Sequence, residues 1–427
     1  MSPNDIKRIN YIYYSSFRTF VKSPHSLFVC YVLFILRTVV YVLLIKFKCK
    51  PLRDILVIAP SLNNKKAVKT IIDNLPLNNV SVWDKFGIDL PLARIYLNSI
   101  FHIKPFQDLY NMSPTEDRLL IRQFYTNFMS TSGIYVTFNK IFKKNPNLKL
   151  IILANDHITA SRCLIELAEK TKIKTLYVQH ASVTERFPPL NFDYSFLDGI
   201  ESYEKYRGID NVRGNVYITG SPRFDVFQGL IGKGKIYDVG IAINMLDSVE
   251  RVIELCQYLK QHYTSKIVVR PHPLMYEAQF DESIFLSLGI DISNPLQDFS
   301  HIFLSTIKVM VANESSIHLD AALMGVPSVL YNFGYQSIVD WYSYIKHGLI
   351  TVCVSKEDLV EKLSAGYDLP VKAVRYYVAS FHSQFEGKVG ELIASFIKLV
   401  LYESPDTAND YIEQFMVNRG EYYEYRA

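Results

Sequence analysis

Asn313-Glu314-Ser315-Ser316-Ile317-His318-Leu319-Asp320-Ala321-Ala322-Leu323-Met324-Gly325-Val326-Pro327 reads as a small, hydroxyl-bearing loop that opens a short helix, which Gly325 and Pro327 then stop. Apolar runs flank it, Val309-Met310-Val311 before and Ser328-Val329-Leu330-Tyr331 after, with the pattern of parallel strands. Strand, loop and helix in that order place serine hydroxyls and unpaired backbone N–H groups at the positive end of a helix dipole, where a phosphate binds well. The stretch therefore predicts a nucleotide-binding α/β unit. An ordinary β-α-β unit with a serine-capped helix has the same pattern, so the reading depends on what surrounds it.

Outward from this stretch, more strand-and-loop pairs follow. Ile55-Leu56-Val57-Ile58-Ala59-Pro60 before Ser61-Leu62-Asn63-Asn64 reads as a first strand ending in a loop. Leu150–Ala154 and Thr175–Val178 read as strands with a helix around Ala160–Lys170 between them. After Gly229–Lys235, a linker rich in Gly and Lys, a second series begins at Tyr237–Ile243 and continues through Lys266–Arg270. The expected architecture is α/β, with two Rossmann-like, doubly wound domains facing a cleft. Residues 51–228 form the N-terminal, acceptor-side domain, 236–370 the C-terminal, nucleotide-donor domain, and 371–427 a set of C-terminal helices and a tail.

Composition sets the class. At 427 residues the chain exceeds one common core, and 49% hydrophobic against 21% charged residues describes a folded protein. A net charge of +4 provides no broad basic surface, so nucleic acid is not expected as a partner. The five cysteines, Cys30, Cys49, Cys163, Cys256 and Cys353, show neither a Cys-x-x-Cys pair nor metal-ligand spacing, which predicts free thiols in a reducing compartment. Leu27 to Ile45 is an apolar run interrupted by one charge, Arg37, with basic flanks on both sides. Three readings of residues 1–50 stay open: a helix lying in the cytoplasmic leaflet, a true span, or a buried soluble helix. A cleaved signal peptide is not expected, because Lys and Arg follow the run where a small-residue cleavage site would stand.

Ligands of open parallel sheets bind beyond the carboxyl ends of the strands. Polar residues stand directly after three of them: Asn155-Asp156-His157, Gln179-His180-Ala181-Ser182 and Arg270-Pro271-His272-Pro273. In the third, prolines fix the backbone around His272, and Arg270 suits paired hydrogen bonds to a phosphate. Each histidine on its own is more often a structural hydrogen-bonding residue, and it is their coincidence that points to a site. Ser221-Pro222-Arg223 follows the strand Asn215–Gly220 near the domain junction, where a plain turn is an equal reading.

The series Val178-Gln179-His180, Tyr217-Ile218-Thr219-Gly220-Ser221-Pro222-Arg223-Phe224-Asp225, Arg270-Pro271-His272-Pro273-Leu274, Glu314-Ser315-Ser316 and Gly325-Val326-Pro327 resembles the GT-B glycosyltransferases of bacterial surface polysaccharides. It is especially similar to the capsule, O-antigen and teichoic-acid glycerophosphotransferase branch, over roughly residues 150–335. The resemblance implies His180 as base or acceptor-orienting residue. It places Arg270, His272, Ser315, Ser316 and Arg223 with the donor phosphates and Asp320 on the ribose. Where the family often has Gly after the histidine, Ala181 stands here, and Asp156 remains a rival base.

The activity so implied is inverting transfer of a sugar from a nucleotide-activated donor to a hydroxyl of a glycan or lipid-linked glycan. It needs no metal or other cofactor and takes place at the cytoplasmic face of the inner membrane. Transfer of glycerol phosphate, a hydrolysing nucleotide-sugar 2-epimerase and a non-catalytic membrane-docked scaffold are the alternatives.

Overall fold

The computed structural model describes residues 1–17, 24–44, 51–84, 90–231, 234–278, 280–366 and 368–426; Cys49 and the basic residues Arg18, Lys22, Lys46, Lys48 and Lys50 lie outside them. The strands in chain order are β1 (Ile55–Ile58), β2 (Val80–Trp83), β3 (Leu150–Leu153), β4 (Lys174–Val178), β5 (Asn191–Leu197), β6 (Arg213–Ile218), β7 (Tyr237–Ala242), β8 (Ile267–Arg270), β9 (Asp291–Ile292), β10 (Ile307–Ala312), β11 (Ser328–Tyr331), β12 (Thr351–Cys353), β13 (Met416–Asn418) and β14 (Tyr423–Tyr425). They form one sheet of order β13-β14-β6-β5-β4-β3-β1-β2 and another of order β12-β11-β10-β7-β8-β9. Pairing is parallel throughout except between β13 and β14.

The chain divides into two compact units, Met1–Arg223 with Lys388–Ala427, and Phe224–Gly387. The expected strands are all present, and each sheet is covered on both faces. In the second unit this is visible along β10: Val309 and Val311 join one buried cluster with Ile241, Val269 and helix Val249–His262, whereas Met310 and Ala312 join another on the opposite side. A strand buried on both faces has no polar side, which is why these strands read as unbroken apolar runs.

The expected boundaries shift in two ways. Residues 371–427 are not a single appendage, since 388–427 belong to the first unit. Helix Val389–Tyr402 carries buried Leu392, Ile393, Phe396 and Ile397 at helical spacing, and the Phe396 ring meets Tyr194, Phe196 and Tyr217 at 5.0–5.3 Å between centroids. β14 then pairs with β6 and β13 with β14, so the tail extends the sheet. Residues 1–16 are likewise part of the first unit. Helix Pro3–Ile9 is closed by a Ser2/Asp5 capping box and buries Ile6 and Ile9. Asn10 is fully buried, donating to Thr131 Oγ1 and accepting from Thr159 Oγ1, both at 2.9 Å.

Helices Leu92–Phe101 and Tyr125–Lys144 cross closely at Gly133, where an added Cβ would stand 2.0 Å from Ser99 Oγ and 2.2 Å from Ile95 O. Ala has about 1 kcal/mol better helix propensity than Gly, but backbone at 2.2 Å cannot yield without separating the helices. Gly133→Ala is therefore expected to destabilise the protein by about 2 kcal/mol or more in urea unfolding; an unchanged midpoint would refute the close crossing.

Candidate active site

In the first unit the strand ends bring together residues from four segments. Asn155, just past β3, accepts the N–H groups of His157 (3.1 Å) and Ile158 (3.0 Å) on its side-chain oxygen, turning the chain into helix Thr159–Thr171. Asp156 is completely buried, yet both its oxygens are engaged: Tyr206 Oη donates to Oδ2 at 2.6 Å, and His157 Nδ1 lies 3.0 Å from Oδ1. The buried Arg162, on the same helix, supplies the nearby positive charge, and it also feels Glu166, which Arg8 meets at 2.7 Å. Alternating charges thus lead from the surface to a carboxylate that water does not reach.

The tautomer of His157 follows from these bonds. Because Asn155 spends its oxygen on two N–H groups, the atom 3.3 Å from His157 Nε2 is the amide nitrogen, a donor. In the neutral ring Nε2 therefore holds the lone pair and Nδ1–H donates to Asp156. The His157 side chain is 23% exposed, and its Nε2 lone pair faces the Asn155 amide N–H at 3.3 Å.

His180, after β4, lies with its ring centroid 5.7 Å from that of His157. Burial drives its pKa down to about 4 against the pull of Asp156, and its Nδ1 is buried with no hydrogen-bond partner among the described residues. Gln179 holds this loop: its amide N–H groups reach Ala181 O (3.0 Å) and Ser202 Oγ (2.8 Å), while its oxygen accepts from Asp198 N (2.9 Å). Arg223 donates to His180 O at 2.9 Å and to Asp198 Oδ2 at 2.6 Å, so the structure sets it within the first unit's cluster. Burial raises Asp198 to about 6, with Arg223 pulling the other way.

In the second unit, strand, loop, helix and strand occur as the opening stretch predicts, with helix Ile317–Leu323 between β10 and β11. The Glu314 carboxylate accepts the N–H groups of Val339 (2.7 Å) and Trp341 (2.9 Å), tying the loop after β11 to the loop after β10. Ser316 is exposed, Ser315 Oγ accepts from Ile317 N at 3.4 Å, and Ser300 Oγ donates to Asp320 at 3.2 Å. His272 Nδ1 accepts from Leu274 N at 3.2 Å as cap of helix Pro273–Glu277, which leaves Nε2–H in the neutral ring as a donor. Arg270 is occupied differently from the expectation. It is buried, donating to Ser293 Oγ (2.9 Å) and Asp298 O (2.7 Å) over the ring of Phe303, and so it builds the loop beside the edge.

Sequence reasoning weighed His180 and Asp156 as bases and did not single out His157, Arg162, Tyr206 or Asp198. His157 had a signal, its place in the Asn-Asp-His triple; Tyr206 is 50 residues from Asp156, and no local pattern links them.

No protein-family model matches this chain, and no curated protein matches it. Solved structures match it by fold. The Listeria monocytogenes protein assigned as a UDP-N-acetylglucosamine 2-epimerase superposes with a TM-score of 0.53 at 13% identity, over 83% of this chain and 98% of its own. The Neisseria meningitidis UDP-GlcNAc 2-epimerase bound to UDP-GlcNAc gives 0.50 at 11%, over 81% and 98%, and the Staphylococcus aureus MnaA–UDP complex gives 0.50 at 13%, over 82% and 97%. Two Rossmann-like domains of GT-B type, with an apolar N-terminal helix, are therefore the fold.

Removing Asp156 leaves Arg162 with Glu166 alone as nearby anion and the Tyr206 hydroxyl with only the longer contact to Tyr177 Oη at 3.2 Å, in a place closed to water. Asp156→Ala is expected to cost about 3–5 kcal/mol in chemical unfolding, whereas His157→Ala, at a partly exposed ring, is expected to cost about 1 kcal/mol or less. Equal losses would contradict the arrangement. A second expectation concerns His318, fully buried between Asn313 O (3.0 Å) and Ser328 Oγ (3.1 Å), with burial lowering its pKa from 6.5 to about 4. The unfolded chain then binds the proton more readily, so the His318 contribution is complete above pH 6.5 and falls as the pH drops toward 4, by about 3 kcal/mol. Thermal melts between pH 7.5 and 4.5 should show this fall, and a shallower one in His318→Asn.

Proposed function

We propose that this protein is a nucleotide-sugar-dependent glycosyltransferase that moves a sugar, with inversion and without a metal, to a hydroxyl of a cell-surface glycan of capsule or O-antigen type. The observation that carries the reading is the His157–Asp156 pair at the carboxyl edge of the first sheet, with the neighbouring neutral His180. The Asn155 amide contact to Nε2 is long at 3.3 Å; once the acceptor hydroxyl displaces it, His157 Nε2 takes the proton of that hydroxyl. Asp156 is a positioning residue that fixes the tautomer and stabilises the imidazolium as it forms. His180, too weakly basic to take the proton efficiently, orients the acceptor through a hydrogen bond. The acceptor oxygen forms a bond to the anomeric carbon as the bond from that carbon to the donor phosphate oxygen breaks. The second unit's own edge offers donors suited to a departing phosphate, His272 Nε2–H and the hydroxyls of Ser315 and Ser316, and Asp320 is the carboxylate suited to a ribose. Arg223 sets the His180 loop, and Arg270 supports the donor edge through the Ser293–Asp298 loop. Fold neighbours whose complexes hold UDP or UDP-GlcNAc support a nucleotide sugar as ligand. A glycerol-phosphate donor is a variant of the same transfer.

A second reading, a hydrolysing 2-epimerase, is favoured by those same neighbours, each aligned over nearly its whole length. Incubation of the purified protein with UDP-, GDP- and CDP-sugars and CDP-glycerol separates the two. Product that forms only when a glycan acceptor is added supports transfer, and C2 epimers formed without acceptor establish the second reading. Silence in both assays, with no thermal stabilisation by any nucleotide, would remove both. Within the transfer reading, His157→Ala should lower kcat by about 10²–10⁴-fold with a smaller change in KM.

A further inference from the structure

We infer that helix Leu27–Leu44 is a docking element that lies in the plane of an anionic lipid surface, with the first unit riding on it, and does not cross the bilayer. The inference concerns where the protein works and stands whichever reaction it catalyses. Its grounds begin with how the helix is held. Cys30, Phe34 and Thr38, one turn apart, are buried against the first unit. The Phe34 ring stacks on Tyr96 at 5.0 Å, Tyr41 meets the same ring at 4.8 Å, and Tyr31 meets Phe106 at 6.1 Å. Arg37 Nη1 donates to Thr126 Oγ1 at 3.1 Å. A crossing helix would have to give up these contacts and carry Arg37 into hydrocarbon.

The other side of the helix is apolar and open to solvent. Phe28 (75% exposed), Ile35, Leu36 (56%), Val39, Leu43 (76%) and Leu44 (78%) recur at helical spacing over 18 residues, about 27 Å of helix. In water such a stripe is costly; at the headgroup boundary it is buried to the depth that in-plane helices reach.

Charge selects the partner. No Asp or Glu occurs between Asp5 and Asp54, while Arg18, Lys22, Lys46, Lys48, Lys50 and Arg53 flank the apolar run in sequence. A segment so basic attracts anionic headgroups and repels a second copy of itself.

The test uses the full chain floated with phosphatidylcholine vesicles with or without phosphatidylglycerol. The chain should float with the anionic vesicles, salt should weaken the binding, and Leu36→Glu/Leu43→Glu should reduce the bound fraction about tenfold without shifting the thermal melt, since both side chains are exposed. Failure of the unaltered chain to float, or flotation of the double variant as strong as the original, overturns the inference. So does a dimer that the double variant dissociates while neither protein binds vesicles. Orientation has its own readout: Ser26→Cys and Pro51→Cys, at exposed positions before and after the helix, each in a Cys49→Ser background and in membranes from expressing cells, should both react with an impermeant maleimide from one face. Reaction at only one end from that face would reveal a span and sink the in-plane geometry.

Discussion

The first unit's site depends on a carboxylate that water cannot reach. Asp156 must be satisfied from within, and every group that satisfies it also does something else. Tyr206 brings helix Ile200–Ile209 to the end of β3, Arg162 commits helix Thr159–Thr171, and His157 is turned so that one nitrogen faces inward and the other keeps its lone pair. A buried charge is expensive unless it is paired and hydrogen-bonded, and the pairing made here leaves the His157 ring little freedom to turn. The neighbouring cluster is paired less completely: Arg223 joins the His180 backbone to Asp198, while His180 Nδ1 and Asp198 Oδ1 are buried without a hydrogen-bond partner among the described residues.

The second unit positions its loops with neutral and singly charged contacts. Glu314 holds two backbone N–H groups of the following loop, His318 bridges Asn313 and Ser328, and Arg270 closes the Ser293–Asp298 loop. These side chains are committed to the backbone of the edge. The groups they leave outward, Ser316 and the Nε2 side of His272, are small donors of the type that meets phosphate oxygens.

Much of the fold was legible because a parallel strand covered on both faces has to be apolar through its covered part: β1 and β3 are so throughout, and β4, β7, β8 and β10 carry their charges, Lys174, Asp238, Arg270 and Lys308, at or near an end. β5 escaped notice because Asn191, Asp193 and Ser195 interrupt Phe192, Tyr194 and Phe196; the period of two was present, but the polar positions hid it. β13 and β14 are three residues each and owe their existence to an edge already built by β6, which no local pattern announces. In the site, the polar residues after the strands were found, but their division of labour was not. How Asp156 and His157 are turned is decided by Tyr206, 50 residues away in the chain, and by the orientation of the Asn155 amide, which the residue types alone do not fix. Arg270 shows the converse: a residue type suited to phosphate was used by the fold to hold a loop.

The return of residues 388–427 to the first unit has a consequence for the order of assembly. β6 receives β14 as its neighbour only after the whole of Phe224–Gly387 has been made, and Phe396 covers β5 and β6 no earlier. The second unit is continuous in sequence and can close during synthesis. The first, although begun earlier, spends that interval with β6 as a bare edge and the aromatic faces of Phe196 and Tyr217 uncovered. On the ribosome the later half is thus the first to finish, and the earlier half is the one that needs protection from other chains.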